Sequence, residues 1–521
     1  MRVNRLVFLS FLIISSIGFS QEKSTKKPNI LFCIADDATW KHMSAYGATF
    51  VKTPAFDRIA KEGLLFNNTY TPNAKCGPSR AIVLTGRNSW QLEEAANHLA
   101  YYPLKFKSLP EALHENGYHV GYTGKGYAPG TALDKNGNRR ELLVKAYNKI
   151  KKETPTKGIN TVDYASNFKA FLEEKKENEP FYFWYGGHEP HRKYEYGSGV
   201  KVGGKRLSDL DAVFPYWPQT ETVKNDVLDY AFELEYFDKQ LDAMLQLLEE
   251  KGELENTLIV VTSDNGMPFP RVKGLSYEHS NHLPLAVMWK NGIKNPGRKI
   301  TDYISFIDFV ATFLEVTDFT AEKVNMQPVQ GKSLQPFFTS NKNDIIPSDK
   351  DFVLLGQERH DVGRPNDAGY PVRGIVKDGF MYLINFKNDR WPAGNPETGY
   401  TNTDGSPTKT EILNLKRSGE NTQFWDYNFG KHSKEELFKI DEDEHCMNNL
   451  AYNKKYRNIK QQLHNLLISE LKKQNDPRMF GKGDVFDNYV PDRNAGFYER
   501  FLKGEKVDAG WINESDFEKK N

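Results

Sequence analysis

The chain has 521 residues, a length that suits roughly two to four domains and easily allows an ordinary hydrophobic core. Lys and Arg total 70 and Asp and Glu total 69, so a general binder of nucleic acids or membrane surfaces is not expected. The three cysteines are an odd number, so at least one has no partner for an intramolecular disulfide.

Residues 1–20 have the pattern of a secretory signal peptide. Arg2 and Arg5 form a basic start, and an almost wholly apolar run follows from Leu6 to Ile14. The run is too short to span a membrane comfortably, and the sequence contains no other long apolar stretch. We therefore predict an exported chain, located in the periplasm or secreted, with no membrane span.

Helices and strands are predicted to alternate through most of the chain. The run PNILFCIADD predicts a buried parallel strand that ends in two carboxylates. A helix start is predicted directly after Cys76, and a long amphipathic helix leads into a buried strand at 258–262. Helix-then-strand units are predicted at 53–70, 108–126, 161–185 and 225–264. This alternation indicates an α/β fold with a mostly parallel sheet.

The pattern changes after about Asp349. Residues 372–386 predict two antiparallel strands joined at Lys-Asp-Gly, and 456–476 predict one amphipathic helix. The polar segment 391–433 is interpreted as an insertion loop. We therefore expect a signal peptide at 1–20, an α/β domain at 21–348 and a smaller α+β domain at 349–521.

Polar residues follow several of the predicted strands. Ligands of open α/β sheets bind beyond the carboxyl ends of the strands, so these side chains are expected to meet at one edge. Two acidic strand ends that meet there could hold a divalent cation, and hard oxygen ligands suit calcium or magnesium rather than zinc. The residues concerned are Asp36, Asp37, Lys125, His188, His191, Asp264 and Asn265, with Cys76 at a helix start.

The stretch Cys76-Gly-Pro-Ser-Arg80, which continues to Leu-Thr-Gly-Arg87, resembles the signature of type I sulfatases. Further stretches match other blocks of that family in the right order, and the resemblance covers nearly all of the mature chain. They are ADD, TGKG, SDNG, KGLSYE and, near the C-terminus, EELFKIDEDEHCMNNLA. The resemblance implies an alkaline-phosphatase-like sandwich with a large, mostly parallel sheet flanked by helices and a smaller C-terminal α+β domain containing an antiparallel sheet.

The resemblance also implies a chemistry for Cys76. A formylglycine-generating or anaerobic maturation enzyme would oxidise Cys76 to formylglycine (3-oxoalanine), whose aldehyde hydrates to a geminal diol. One hydroxyl would attack sulfur and displace the alcohol, and the second would then lose its proton and expel sulfate. By the same resemblance Arg80 and Lys125 would steady the diol, Lys273 would neutralise the sulfate, and His188 would protonate the leaving oxygen.

One calcium ion, with magnesium less expected, is the implied metal. By resemblance its ligands are Asp36, Asp37, residue 76, Asp264 and Asn265. One position departs from the family pattern. Tyr127 lies where the family often has a histidine, so the base that expels sulfate stays open.

The segments GGHEPHRKYEYG and SDNGMPFPR look most like the N-sulfoglucosamine sulfohydrolase branch, and bacterial members with this pattern include enzymes proposed to act on ulvan. We predict an exported sulfatase acting on a sulfated polysaccharide of the ulvan or heparan type, with an N-sulfohydrolase as the alternative. A phosphatase or phosphodiesterase of the same superfamily and a non-catalytic glycan-binding relative are more remote alternatives.

Six side chains are candidates for contact with the sugar. His360 and Arg364, with Arg373 nearby, could read a carboxylate or hydroxyl groups, and a structural salt-bridged loop explains them equally well. The candidates are Tyr127, His191, Arg192, Arg271, His360 and Arg364.

Overall fold

The structure is a computed structural model that describes residues 26–518. The predicted signal peptide at 1–20 lies outside this range. Among the described residues, no helix combines the length and the apolar character needed to cross a membrane.

The described residues form strands in two large groups and helices around them. The strands, numbered in chain order, are β1 Asn29–Ala35, β2 Leu64–Tyr70, β3 Tyr101–Tyr102, β4 His119–Gly124, β5 Thr131–Ala132, β6 Phe181–Gly186, β7 Thr257–Ser263, β8 Leu285–Met288, β9 Arg298–Ser305, β10 Val353–Gln357, β11 Val372–Lys377, β12 Phe380–Asn385 and β13 Glu435–Lys439. The α-helices are α1 Pro54–Glu62, α2 Cys76–Thr85, α3 Leu109–Glu115, α4 Tyr164–Glu174, α5 Ser198–Lys201, α6 Glu221–Glu250, α7 Glu278–Asn281, α8 Asp308–Val316, α9 Gln335–Thr339, α10 Pro407–Ser418, α11 Gln423–Phe429, α12 Arg457–Lys473, α13 Val485–Asn488 and α14 Phe497–Leu502.

The large sheet has seven strands in the order β4-β6-β1-β7-β8-β2-β9. Only β8 runs antiparallel to its neighbours. Every residue of β1 is buried, as expected for a central strand covered on both faces. Successive residues point to opposite faces, so Leu31 and Cys33 join one hydrophobic layer while Ile30 and Phe32 join the other. Two layers of core therefore hold the ends of β1 and β7 in place.

Helix α6 covers one face of the sheet and is 30 residues long. The side chain of Thr220 caps its first turn by accepting a hydrogen bond from the Val223 amide. Its buried residues, among them Leu234, Leu241 and Leu248, recur at the spacing of one helix face. The helix predicted before β7 is thus confirmed.

A second, antiparallel sheet has the order β10-β11-β12-β13. Asp378 and Gly379 connect β11 to β12 with φ angles of 51° and 72°, the left-handed geometry that a two-residue hairpin turn requires. Helix α12 packs on this sheet through Leu463, Leu467 and Leu471. The predicted fold class, a mostly parallel α/β sheet with a smaller antiparallel one, is confirmed.

The segment 391–433 differs from its interpretation as a loop, because it contains α10 and α11. The side chain of Ser406 caps α10, Pro407 occupies its first turn, and Gly419 ends it with a φ of 78°. These start and stop signals were present in the sequence, and the polar composition of the segment masked them.

Candidate active site

Two acidic strand ends meet at the carboxyl edge of the large sheet. The register pairs Ala35 with Ser263, so Asp36 and Asp37 after β1 lie beside Asp264 after β7. The Asp37 amide donates to Asp264 Oδ1 at 3.1 Å. Asp37 is held at a φ of 76°, a left-handed conformation that costs a non-glycine residue energy and is common at functional sites. The parallel pairing of the two strands thus brings together carboxylates 227 residues apart.

Helix α2 begins at this edge with Cys76. All ten of its residues are buried. Cys76 Sγ lies 3.5 Å from Asp36 Oδ1 and 3.8 Å from Asp37 Oδ1. Burial raises the pKa of the Cys76 thiol well above its usual value, so an unmodified Cys76 is a poor source of thiolate.

Arg80 lies one helical turn after Cys76 and therefore on the same face of α2. Its Nε donates to Asp264 Oδ2 at 2.8 Å, and its Nη1 donates to the Lys125 carbonyl at 2.8 Å. Its buried Nη2 has no hydrogen-bond partner among the described residues and lies 3.6 Å from Asp36 Oδ1. A buried donor without a partner is costly, and a bound anion would satisfy it.

Lys125 follows β4 at the same edge. Its Nζ lies 2.8 and 2.7 Å from the two oxygens of Asp36. Burial alone would raise the pKa of Asp36, but Lys125, His191 and Arg80 together hold it well below its usual range. Asp36 is therefore charged at neutral pH.

Lys273 is buried between two carboxylates. Its Nζ lies 2.7 Å from Asp37 Oδ2 and 2.7 Å from Asp404 Oδ2. Sequence reasoning missed Asp404, which lies in the segment interpreted as a loop. The aspartate has no motif of its own, so no sequence signal distinguished it from the other polar residues there.

The oxygen-rich donor set fits a hard divalent cation. Asp36, Asp37, Cys76 and Asp264 each place one ligand atom within 4.8 Å of the others. Burial and the neighbouring Asp36 raise the pKa of Asp264 to about 6, as expected for crowded carboxylates that share a site. The buried Oδ1 of Asn265 has no hydrogen-bond partner among the described residues, while its Nδ2 lies 2.6 Å from Asp37 Oδ1. A half-turn of this amide would present its oxygen to the same place.

The net charge of the site also favours a bound cation. The site contains four carboxylates and three cationic side chains, which gives a net charge of minus one. A divalent cation would change the sum to plus one, and one singly charged sulfate group would then cancel it. We call this set the charge cluster; its members are Asp36, Asp37, Arg80, Lys125, Asp264, Lys273 and Asp404.

A cavity of about 510 Å³ opens beside the charge cluster. Lys125, Tyr127 and His188 all contribute to its wall. Burial lowers the pKa of His188 to about 4, so its ring is neutral at neutral pH until an anion arrives. Tyr127 packs edge-on against Tyr102, and burial raises the pKa of its phenol above the usual value, so the phenol is uncharged at neutral pH.

His191 also reaches the charge cluster, with its Nε2 3.8 Å from Asp37 Oδ2. Arg192 does not. Its guanidinium is fixed by two bonds to Asp226, at 2.6 and 2.9 Å, so it is already neutralised inside the protein. Its donors are used in packing α6 against the sheet edge, not turned outward to a sugar.

Three other candidates for sugar contact are turned into the protein. Arg271 donates to the carbonyls of Tyr427 and Cys446. His360 is fully buried, with Nε2 2.8 Å from Asn73 Oδ1. Arg364 is buried and donates to the carbonyls of Trp391 and Pro392. These bonds hold loops together inside the protein, and contact of the three side chains with a sugar stays a prediction.

Arg373 belongs to a buried salt-bridge network. Its Nε lies 2.6 Å from Asp476 Oδ2 and its Nη2 lies 2.8 Å from Glu358 Oε1. From the sequence, a structural role and a sugar-binding role explained this region equally well. These buried salt bridges favour the structural role.

A second buried network holds the turn before Cys76. Lys75 Nζ lies 2.7 Å from Asp361 Oδ2, and the other oxygen of Asp361 lies 3.0 Å from His98 Nδ1. Lys75 also donates to the Asn402 carbonyl at 3.0 Å. These contacts tie the start of α2 to residues hundreds of positions away in the chain.

Comparisons with known proteins agree with this geometry. A family model described as Sulfatase matches residues 28–319, a range that contains all seven strands of the large sheet. An ulvan-active sulfatase from Formosa agariphila is 26% identical over 541 aligned positions, which cover 92% of this chain and 82% of that protein. The N-sulphoglucosamine sulphohydrolase of Homo sapiens is 26% identical, over 86% of this chain and 91% of its own length.

Solved structures show the same fold. The structure of BT4656 in complex with its substrate D-glucosamine-2-N,6-O-disulfate has a TM-score of 0.60 at 21% sequence identity. The match covers 87% of this chain and 99% of that one.

Proposed function

The chain belongs to the sulfatase family and is a sulfuric ester hydrolase, and from that premise we propose that it is an exported enzyme that removes sulfate from a sulfated glycan through formylglycine at position 76. One observation carries the proposal. Cys76 lies at the start of α2 within 3.8 Å of two buried carboxylates, beside the unpartnered Nη2 of Arg80.

The proposed reaction transfers the sulfuryl group from the glycan oxygen to one hydroxyl of the diol at residue 76. The second hydroxyl then loses its proton, sulfate is expelled with cleavage of the bond between carbon and oxygen, and the aldehyde that returns is hydrated again by water. Asp36, Asp37, Asp264 and Asn265 would hold a calcium ion, which polarises a sulfate oxygen when bound. Lys273 and the free Nη2 of Arg80 contribute positive charge where the sulfate oxygens lie. These side chains are already in place, so little reorganisation is needed.

His188 is proposed to supply the proton to the leaving alcohol. Its ring is neutral in the free protein because burial lowers its pKa to about 4. An anionic sulfate in the neighbouring cavity raises this pKa, so substrate binding favours the protonated ring. Burial raises the pKa of the Tyr127 phenol, which is therefore uncharged in the free protein, and the base that expels sulfate stays open.

The proposed substrate is a glycan of the ulvan or heparan type, with an N-sulfohydrolase as the alternative activity. The ulvan-active sulfatase, which matches 92% of this chain, supports the glycan sulfatase activity. The human N-sulphoglucosamine sulphohydrolase, which matches 86% of this chain, supports the N-sulfohydrolase alternative. A maturation enzyme that converts Cys76 is the proposed protein partner.

The test is sulfate release by matured enzyme from two defined oligosaccharides. One ends in N-sulfoglucosamine, and the other is derived from ulvan and carries only O-sulfate esters. Release from the second alone identifies an O-sulfatase, and release from the first alone identifies an N-sulfohydrolase. Failure on these and on other sulfated glycans, with residue 76 verified as formylglycine by mass spectrometry, would contradict the proposed function.

Removal of metal is expected to lower both activity and stability. A cation bound between β1 and β7 stabilises only the folded state, by about 2.7 kcal/mol when its free concentration is 100 times its Kd. We expect chelator to lower the melting temperature and abolish sulfate release, and calcium to restore both more effectively than magnesium. Thermal unfolding with and without chelator measures this.

The matched control for metal removal is Asp264→Asn, which removes one ligand charge. Its melting temperature should be lower than that of the wild type and nearly insensitive to chelator. A wild-type melting temperature that does not respond to chelator would rule out a tightly bound metal.

Replacement of His188 is expected to depend on the leaving group. His188→Gln should lower kcat on a sulfated sugar by about 10²–10⁴-fold, because a sugar alkoxide needs a proton. Loss on an aryl sulfate with an acidic phenol should be much smaller. The measurement is kcat/KM across aryl sulfates of graded phenol acidity.

The control for the His188→Gln measurements is His114→Gln, which alters an exposed histidine of α3. This control variant should keep the wild-type kcat/KM on every substrate. An equal loss on every leaving group in His188→Gln would show that His188 positions the substrate and does not protonate it.

A further inference from the structure

The wall of the cavity beside the charge cluster contains more basic than acidic side chains. Four of its wall residues are basic and one is acidic. The carboxylates that balance the cations lie mostly behind them, since the side chains of Asp36 and Asp492 are 2% and 0% exposed. The basic wall residues are Lys125, Arg139, Arg140 and Arg493, and the acidic one is Glu141.

All four cations are paired with a carboxylate, and two of them are also largely buried. Lys125 contacts Asp36 in the charge cluster. Arg140 is held by two bonds of 2.7 Å to the carboxylate of Glu111 and is largely buried. Their guanidinium and ammonium groups therefore shape the wall, while Arg139 and Arg493 present exposed charge at the rim.

Arg493 is fixed in position and is still available to a ligand. Its Nε and Nη2 bond to Asp492, and Nη2 also contacts the Pro129 carbonyl. Asp492 is itself anchored, because it accepts from Thr131 Oγ1 at 2.6 Å. Every bond that this guanidinium makes within residues 26–518 uses Nε or Nη2, so Nη1 has no protein partner there, and the side chain is 49% exposed.

Arg139 lies on the same rim. Its Nε contacts Glu141 at 2.6 Å, and its side chain is 78% exposed. Glu141 is in turn held by the Tyr122 hydroxyl at 3.2 Å. A side chain this exposed makes little contribution to folding, so it is free to contact a ligand in the cavity.

We propose that Arg139 and Arg493 form a second anion subsite, which selects glycans that carry another carboxylate or sulfate near the sulfate that is cleaved. This inference rests on the proposed function and extends it to a substrate class. Arginine suits the role because its planar fork matches the oxygens of a carboxylate or a sulfate. The cavity volume lies within the range of small-ligand sites, so the cavity has room for a sugar unit that carries the second anion.

The test uses three disaccharides that share the scissile sulfate. One carries a uronic acid carboxylate, the second has this carboxylate reduced to an alcohol, and the third replaces it with a second sulfate. We expect the double variant Arg139→Gln/Arg493→Gln to lower kcat/KM on an anionic disaccharide, relative to the reduced one, by about 10- to 100-fold. The loss should lie in KM, since a remote group contributes equally to ground-state and transition-state binding.

The two anionic arms distinguish the sources of the second anion. A selective loss on the uronic acid disaccharide identifies a carboxylate, and a selective loss on the disulfated one identifies a sulfate. Arg139→Gln is also measured alone, because its exposed side chain can be changed without unfolding the chain. Arg493→Lys should retain part of the selectivity through its charge.

Matched controls exist for both arginines. Arg206, 80% exposed and paired with Asp209, matches Arg139, and Arg500, 40% exposed and paired with Glu505, matches Arg493. Arg206→Gln and Arg500→Gln should leave the ratios unchanged. An unaltered ratio in the double variant overturns the subsite while the proposed function stands, whereas a wild type that releases sulfate from none of the three contradicts the proposed function itself.

Discussion

Cys76→Ala is expected to fold normally and to release no sulfate. The substitution removes the atom from which the nucleophile is made, and loss of a covalent nucleophile in a hydrolase costs about 10⁶-fold in kcat. The fold should persist because Cys76 Sγ faces carboxylates rather than the hydrophobic core. The measurements are sulfate release, melting temperature and the mass of the peptide that contains residue 76.

Two further variants sharpen this prediction. Cys33→Ala is the matched control, because Cys33 is equally buried but lies within β1; it should lose some stability and keep its activity. Cys76→Ser, produced without a maturation enzyme, has a hydroxyl but no second one to expel sulfate. It should accumulate one covalent sulfate per chain and then stop, and sustained turnover by either Cys76 variant would contradict the formylglycine mechanism.

Lys273→Met is expected to lower both activity and stability by large amounts. It removes the cation between Asp37 and Asp404 and leaves two buried carboxylates facing each other, which typically costs about 3–5 kcal/mol. It also removes a charge from the place where sulfate oxygens are expected, which should lower kcat about 10²–10³-fold. Chemical denaturation and kcat/KM measure the two losses separately.

Asp404 allows a direct test of this pair. Asp404→Asn keeps the shape and removes the charge, so Lys273→Met/Asp404→Asn should be more stable than Lys273→Met alone, without recovering activity. Lys205→Met is the control, because Lys205 is also buried and paired, with Glu235 at 2.5 Å, but lies away from the charge cluster. It should lose stability and keep its rate per folded molecule. Strictly additive losses in the double variant would show that Lys273 and Asp404 do not depend on each other.

The sheet and its edge were predictable from the sequence because both depend on local patterns. Apolar runs bounded by helical periodicity identify β1 and β7, and parallel strands must present their carboxyl ends on one side. These two facts place Asp36 and Asp264 at the same edge of the sheet. The sequence did not predict that β1 and β7 are neighbours, and that pairing is what allows the 3.1 Å hydrogen bond from the Asp37 amide to Asp264.

The rest depended on long-range packing that no local pattern records. Asp404 lies just before α10 in the chain and reaches Lys273 from 131 residues away, a contact that only the packing of the whole segment brings about. Arg493 reaches the cavity from a position 364 residues after its carbonyl partner, Pro129. Conversely, Arg364 and Arg271 looked accessible because they are charged, and buried backbone carbonyls turned out to be their partners.

The complete burial of α2 sets an order of events for the proposed chemistry. Cys76 is 1% exposed, every residue of its helix is covered, and Lys75 is fastened by buried charge to Asp361. A protein-sized catalyst cannot reach that sulfur in the finished molecule. Under the proposed mechanism, Cys76 would therefore have to be oxidised while the chain is still unfolded, before the core collapses around it. A chain that folded first would keep its thiol, so the fraction of active enzyme would be decided during synthesis and not by a maturation enzyme added later.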